Sequence, residues 1–199
     1  MALTWDGQSL WTVAGASVYR HRLDDLSIAN TTQFIGGNVN LNLNYGGLSW
    51  DGANFTTTGT KVVGFGKQAN YLIRVRQVID ASILSLKTIS EEELPVFGNI
   101  GTLTWIDDRL WVSTGQQTMT SGEGSFFHEL EKGKDGRWRL VKTYKAPGGR
   151  CQGLAWDGAY LWSYDVFEQA LFKHKMDEEL TIVEKYSEIN GERLMYFNG

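Results

Sequence analysis

Across 199 residues the chain has one cysteine, two prolines and three histidines. Each scarcity excludes something. Cys151 has no second cysteine to pair with, so no disulfide framework holds the fold. No Cys-x-x-Cys or His-x-x-x-His spacing offers zinc ligands, and neither a metal nor another cofactor is expected. Basic residues do not outnumber acidic ones. A net charge of −4 speaks against a general nucleic-acid binder, which carries a basic excess. No apolar run approaches the roughly 18 residues of a membrane span, so no membrane partner is expected. Residues 1–10 lack the basic start and apolar core of a signal peptide. The expected location is therefore the cytoplasm, or a virion assembled there. What is plentiful is glycine, at 23, together with 8 tryptophans, 8 tyrosines and 9 phenylalanines. The glycines have no period of three, which excludes collagen, and so aromatic a chain does not stay disordered.

Four segments repeat. They are Leu3-Thr4-Trp5-Asp6-Gly7, Leu48-Ser49-Trp50-Asp51-Gly52, Leu103-Thr104-Trp105-Ile106-Asp107 and Leu154-Ala155-Trp156-Asp157-Gly158. Their tryptophans are 45, 55 and 51 residues apart, close to the length of a propeller blade. Five residues after each Trp stands a large apolar residue: Leu10, Phe55, Leu110 or Leu161. Six after it stands Trp11, Trp111 or Trp162, with Thr56 breaking the pattern. Leu and Trp alternate with small residues, so each segment reads as a strand with one bulky and one lean face. Trp5, Trp50, Trp105 and Trp156 are expected to be buried between blades. Asp-Gly between two such strands predicts a two-residue type I′ hairpin, with Asp107-Asp108 as the weaker version.

A third strand follows in each unit: Val18-Tyr19-Arg20, Leu72-Ile73-Arg74, Phe126-Phe127-His128 and Leu171-Phe172-Lys173. An Asp-containing turn and a fourth strand close it. The expected fold is all-β, a single four-bladed propeller over 1–199. Its four-stranded antiparallel blades lie at 2–36, 47–90, 101–145 and 153–187, with a tail strand at 192–199. The tail, Arg193-Leu194-Met195-Tyr196-Phe197-Asn198-Gly199, looks like the start of a fifth repeat. It closes the ring beside Ala2, packs on the face, or pairs with another subunit. The Leu-x-Trp-Asp-Gly-x-x-Leu-Trp pattern with its following Tyr-Arg or Phe-Lys strand resembles the repeats of YVTN/NHL-like and glutamine-cyclotransferase-like β-propellers. That resemblance implies the fold and leaves function open.

Few residues suggest chemistry. His21, His128 and His174 fall in or beside third strands and read as a solvated face. Cys151 reads as an inert thiol, since a nucleophile needs a base beside it. Glu91-Glu92-Glu93 before Leu94-Pro95 reads as an exposed loop. Gly64-Phe65-Gly66-Lys67 lacks P-loop spacing.

Asymmetry between blades is more informative. From motif Trp to third-strand apolar residue the spans are 14, 22, 22 and 16 residues. Blades two and three thus carry inserts, within 57–70 and 114–125. The connection at 36–47 is also elaborate, with Asn at every second position. Inserts in repeat proteins map to the binding face. The expected partner-binding residues are Asn40, Asn44, Tyr45, Phe65, Lys67, Gln116, Met119, Glu123, Arg150 and Gln152. The reading is a non-catalytic binding or assembly module that takes a protein or glycan partner on this loop face. A structural or receptor-binding part of a virion fits the same features. One alternative is a lyase, hydrolase or cyclotransferase acting at the channel mouth. Another, by analogy to four-bladed hemopexin-like propellers, is a cation held by backbone carbonyls.

Overall fold

The structure, a computed structural model, describes residues 2–14, 17–35, 47–64, 68–80, 83–115, 124–189 and 191–194. Every regular element among the described residues is a strand. The first meander runs β1 (Ala2–Trp5), β2 (Leu10–Ala14), β3 (Ser17–His21) and β4 (Ile28–Ile35). The second runs β5 (Leu48–Trp50), β6 (Phe55–Val62), β7 (Gln68–Asp80) and β8 (Ile83–Leu94). The third is β9 (Asn99–Ile106), β10 (Arg109–Gly115), β11 (Phe126–Lys132) and β12 (Trp138–Lys145). The fourth is β13 (Cys151–Trp156), β14 (Tyr160–Asp165), β15 (Ala170–Lys175) and β16 (Ile182–Tyr186). Each is antiparallel throughout, and the fold is a four-bladed β-propeller of four-stranded blades. The tail begins as a small hairpin, β17 (Glu188–Ile189) with β18 (Glu192–Arg193). Residues 195–199 lie outside the described residues.

Packing divides the chain into two compact units: Met1–Phe97 with Lys132–Arg139, and Gly98–Glu131 with Leu140–Gly199. In the first unit β4 and β8 pair in parallel, Phe34 opposite Leu86 and Ile35 opposite Lys87. Blades one and two thereby become one eight-stranded sheet. The junction exists because β7 and β8, at 13 and 12 residues, outrun the other strands. The unit's core joins Trp11, Val13 and Val18 to Leu48, Phe55, Ile73, Val75 and Leu86, with Trp50 packed alongside. Phe55 meets Trp11 and Trp50 edge-on at 5.0 and 4.9 Å. The second unit's core joins Ile106, Trp111 and Phe127 to Cys151, Leu161 and Leu180, with Leu154 and Trp156 alongside. In both units the bulky Leu-x-Trp face of the later blade stacks on the lean face of the earlier one.

The motif tryptophans are not the buried ones. Trp5 is 47% exposed and Trp50, Trp105 and Trp156 are half-buried, while Trp11 and Trp111 are sealed at 0% and 1%. Register explains the exchange. Trp5 ends its strand opposite Leu10, beside the loop. Trp11 lies mid-blade, opposite Thr4 and Arg20.

The Asp-Gly turns also differ from expectation. They are four-residue loops: Trp5 pairs with Leu10, Trp50 with Phe55 and Trp156 with Leu161. Only Gly7, Gly52 and Gly158 take positive φ there, at 91°, 93° and 95°. The aspartate side chain makes the turn instead. Asp6 Oδ1 accepts the Gln8 and Ser9 N–H groups at 2.8 and 2.7 Å, and Asp51 and Asp157 do likewise. Asp6 Oδ2 then accepts Trp11 Nε1, and Asp157 Oδ2 accepts Trp162 Nε1, each at 2.7 Å. Blade two has Thr56 in place of that Trp, and there Asp51 Oδ2 takes Arg74 Nε at 3.2 Å. The weaker Asp107-Asp108 pair is the true two-residue turn, with Asp107 at φ 53°.

The histidines are clamps rather than a solvated face. Thr12 Oγ1 bonds His21 Nε2 at 2.7 Å, Thr114 Oγ1 bonds His128 Nε2 at 2.7 Å and Ser163 Oγ bonds His174 Nε2 at 2.8 Å. Each histidine lies two residues past the hydroxyl's direct cross-strand partner. Nδ1 of His21 and His174 faces the carbonyls of Leu26 and Leu180, which only accept. Nδ1 therefore carries the proton and Nε2 accepts from the hydroxyl. Burial holds the pKa of His128 and His174 below the ordinary histidine value, so both are neutral at pH 7.

Two segments assigned to loops are strand. Residues 57–62 and 68–70 continue the β6–β7 hairpin, from Thr57 opposite Ile73 to Val62 opposite Gln68. Thr56, Thr57 and Thr58 are buried in it. Glu91, Glu92 and Glu93 lie in β8 opposite Ile73, Leu72 and Tyr71. An acidic run sits in a strand here because Glu92 is neutralised. Arg74 Nη1 reaches its Oε1 at 2.5 Å, and Lys132 Nζ and Trp138 Nε1 reach its Oε2 at 2.6 and 2.8 Å.

Candidate functional site

Of the ten residues expected to bind a partner, Arg150 and Gln152 are described. Asn40, Asn44, Tyr45, Phe65, Lys67, Gln116, Met119 and Glu123 lie outside the described residues. The two described ones stand together at the start of β13, in the second unit. With its amide oxygen turned towards Arg150, Gln152 accepts from both Nη2 and Nε at 3.0 Å.

A break in strand pairing creates this geometry. Cys151 pairs with Asp165 and Gly153 with Tyr164, so Gln152 is the extra residue of a β-bulge. Four residues before its motif Trp, β9 has the same irregularity: Thr102 pairs with Ser113 and Ile100 with Thr114, leaving Gly101 unpaired. The two bulges occupy equivalent positions and adjoin. A Cβ on Gly101 would lie 2.3 Å from the Cys151 carbonyl oxygen, so no larger residue fits there. Bulges redirect side chains and end pairing, and they concentrate beside functional sites.

Under Arg150 the backbone is fixed by a buried carboxylate. Asp165 Oδ2 accepts the Arg150 N–H at 2.7 Å, and Oδ1 accepts Phe167 and Glu168 N–H at 2.9 and 3.0 Å. Val166 N–H returns to the Arg150 carbonyl at 3.0 Å. Asp165 is reached only because residue 148 is glycine: a Cβ there would lie 2.2 Å from its Cγ. Hydroxyls complete the floor. Ser113 Oγ donates to the Cys151 carbonyl at 3.1 Å, Ser125 Oγ donates to the Thr114 carbonyl at 3.0 Å, and Cys151 N–H donates to Ser125 Oγ at 3.2 Å.

Reactive groups near this floor are committed to structure. The Cys151 thiol is buried, and burial pushes its pKa up to about 12, so it is no nucleophile at neutral pH. Ser163 and His174 are within hydrogen-bond reach of one another but sealed from solvent. No group of three or more Cys, His, Asp or Glu residues among the described residues has the geometry to hold a metal ion.

Sequence reasoning named Arg150 and Gln152 and did not name Asp165 or Gly148, which shape the backbone beside them. A signal existed for the latter: Gly148-Gly149 directly precedes Arg150, and paired glycines at a strand entry mark close backbone approach.

No protein-family model matches the chain, and no curated protein matches it in sequence. Solved structures do match in fold. The glutaminyl cyclase of Myxococcus xanthus aligns with a TM-score of 0.54 at 12% identity, over 87% of this chain and 64% of that one. A mitotic checkpoint complex chain aligns at 0.49 with 14% identity, over 95% of this chain and 50% of its own. A 6-phosphogluconolactonase-like protein of Bacteroides fragilis aligns at 0.45 with 12% identity, over 94% and 56%. The chain thus spans one half to about two thirds of these structures, and the likeness is one of fold.

Proposed function

We propose that the protein is a non-catalytic binding module that grips a protein or glycan partner at the loop end of β9 and β13. The observation that carries this reading is the Arg150–Gln152 pair on its bulge. An amide holds a guanidinium in one plane, and the backbone beneath is locked by Asp165. A guanidinium held in one plane before the partner arrives suits recognition of carboxylate and carbonyl groups. Preorganisation also lowers the entropic cost of binding.

The enzymatic alternative needs an accessible acid, base or nucleophile. The thiol, the buried serine–histidine pair and Asp165 are instead engaged in holding the scaffold, which favours binding over catalysis. The likeness to a glutaminyl cyclase is one of fold and transfers no activity.

The test screens the protein on peptide and glycan arrays, then repeats the hits with Arg150→Ala and Gln152→Ala. A hot-spot arginine predicts that Arg150→Ala lowers affinity about thirtyfold or more, with the melting temperature close to wild type. Binding that survives both substitutions would remove the site. Turnover of an N-terminal glutaminyl peptide would restore the enzymatic reading.

A further inference from the structure

The tip of the β11–β12 hairpin belongs to the first unit, where Lys132 and Trp138 bond it to the end of β8. Tip and strand enclose a cavity of about 510 Å3, lined by Glu92, Glu93, Pro95, Gly136, Arg137 and Trp138. All six residues belong to that one unit. Cavities of roughly 300–1,000 Å3 hold small organic ligands.

The walls are fixed before any ligand arrives. Trp138 Nε1 donates to Glu92 Oε2 at 2.8 Å, and Lys132 Nζ reaches the same oxygen at 2.6 Å. The turn is closed by Gly133 N–H on the Arg137 carbonyl at 2.8 Å and by Gly136 N–H on the Gly133 carbonyl at 2.9 Å. Gly136 turns the tip at a φ of 78°, and no side chain narrows the cavity there.

Charge matching at the cavity leaves two groups over. Glu92 is matched by Arg74 and Lys132, and Asp135 at the tip is matched by Arg139 at 3.0 Å. Glu93 and Arg137 make no ion pair among the described residues, either with each other or with a third group. The cavity therefore has one carboxylate and one guanidinium to offer. A purely anionic ligand is repelled by Glu93 and a purely cationic one by Arg137, whereas a ligand with both charges satisfies both. Pro95 and Trp138 add apolar surface to the same wall, which suits an apolar body between those charges.

We propose that this cavity binds a small zwitterion with an apolar body, of the size of a short peptide with both ends free. The ligand's carboxylate meets the fork of Arg137, and its ammonium meets Glu93. The site is separate from the Arg150 pair, which belongs to the second unit, and stands whether or not that pair binds a partner.

The test is an NMR titration of the isotope-labelled protein with leucyl-alanine and alanyl-leucyl-alanine, each also N-acetylated or C-amidated. The free peptides are expected to bind and to shift the Trp138 indole resonance together with the amides of Gly136 and Arg137. Acetylation and amidation should each weaken binding about fivefold, since each removes one charged contact in a partly solvated site. Two variants then assign the ends. Glu93→Gln should bind free and acetylated peptides alike, and Arg137→Gln should bind free and amidated peptides alike. Both side chains are exposed and outside any ion pair, so both variants should keep the wild-type melting temperature. Four results would overturn the proposal: no binding of either free peptide, shifts centred on residues away from the cavity, an acetylated or amidated peptide that binds the wild type as tightly as the free one, or a variant that still discriminates the end assigned to it.

Discussion

Glu92 and Asp165 are both carboxylates withdrawn from water, one in each compact unit, and they are stabilised by opposite means. Glu92 is held by side chains: Arg74, Lys132 and Trp138, drawn from β7 and from the tip of the β11–β12 hairpin. Asp165 is held by backbone: the N–H groups of Arg150, Phe167 and Glu168. The first arrangement ties together pieces distant in sequence and depends on charge. The second shapes one local connection and depends on dipoles and on the missing side chain of Gly148. A cation network tolerates small displacements, because long side chains follow their partner. A backbone cradle does not, and so it holds the Arg150 backbone in one position.

The largest effect is expected at the cradle. Asp165→Ala leaves three donors without their acceptor at a buried position. At roughly 1–3 kcal/mol for each unsatisfied group, the loss should be about 3 kcal/mol or more in urea unfolding. Gly148→Ala should approach it, since its Cβ would lie on the carboxylate. Cys151 serves as a reporter. With its pKa at about 12, only about one thiol in ten thousand is ionised at pH 8, and it is buried. Ellman's reagent should label it only after unfolding in wild type and through local opening in Asp165→Ala. Rapid labelling of the wild type would show that the cradle does not close the site.

Glu92→Gln is expected to cost less, about 1–2 kcal/mol, because the group is only partly buried and water screens its ion pairs. Unlike the cradle variants, its deficit should shrink in high salt. Burial disfavours the charged form of Glu92. The bonds from Lys132 and Trp138, with the positive charges of Arg74 and Lys132, outweigh it and hold the pKa below the usual value. Such a group contributes its full stability above the unfolded carboxyl pKa, roughly 4, and loses it as pH falls through the lower folded value. The wild type should therefore lose stability on acidification more steeply than Glu92→Gln. Parallel curves would mean that Glu92 is not the charge that matters.

Much of this architecture was legible. Leu-x-Trp with a large residue five positions on specified strand, turn and blade period, because period-two alternation and a fixed repeat leave few alternatives. Which tryptophan would be buried was not legible. Trp5 and Trp11 are equally apolar, and only the register places one at the strand end and the other mid-blade. The inserts at 57–70 misled for a related reason: a Thr-rich stretch that looks like a loop becomes hairpin once long partner strands pair with it. Of the candidate site, Arg150 and Gln152 were named from their place in the repeat. Asp165 was not, because its partners are backbone groups across a connection and carry no signature of their own. Glu92 was taken for loop because its cations come from positions 74 and 132.

The smallest expected effect sharpens the comparison at Asp6, which mixes both means. Its Oδ1 takes backbone N–H groups, as Asp165 does, and its Oδ2 takes the side chains of Trp11 and Gln77. Asp6→Asn keeps the turn, since an amide oxygen still accepts from Gln8 and Ser9. It turns an NH2 group towards the indole N–H of Trp11, setting donor against donor. The loss should be about 1 kcal/mol, one hydrogen bond to a carboxylate in a partly solvated loop. No cation faces Asp6 in these bonds, so the loss should be indifferent to salt, which separates it from Glu92→Gln. Burial opposes the charge of Asp6, but the bonds from Gln8, Ser9, Trp11 and Gln77 prevail and keep its pKa low. By the same sign rule, the wild type's advantage over Asp6→Asn fades as pH falls through that value. The direct readout is the Trp11 indole proton in an NMR spectrum, which should move upfield in the variant. An unmoved resonance would show that the indole does not depend on the carboxylate, and that the aspartate of the repeat serves its turn alone.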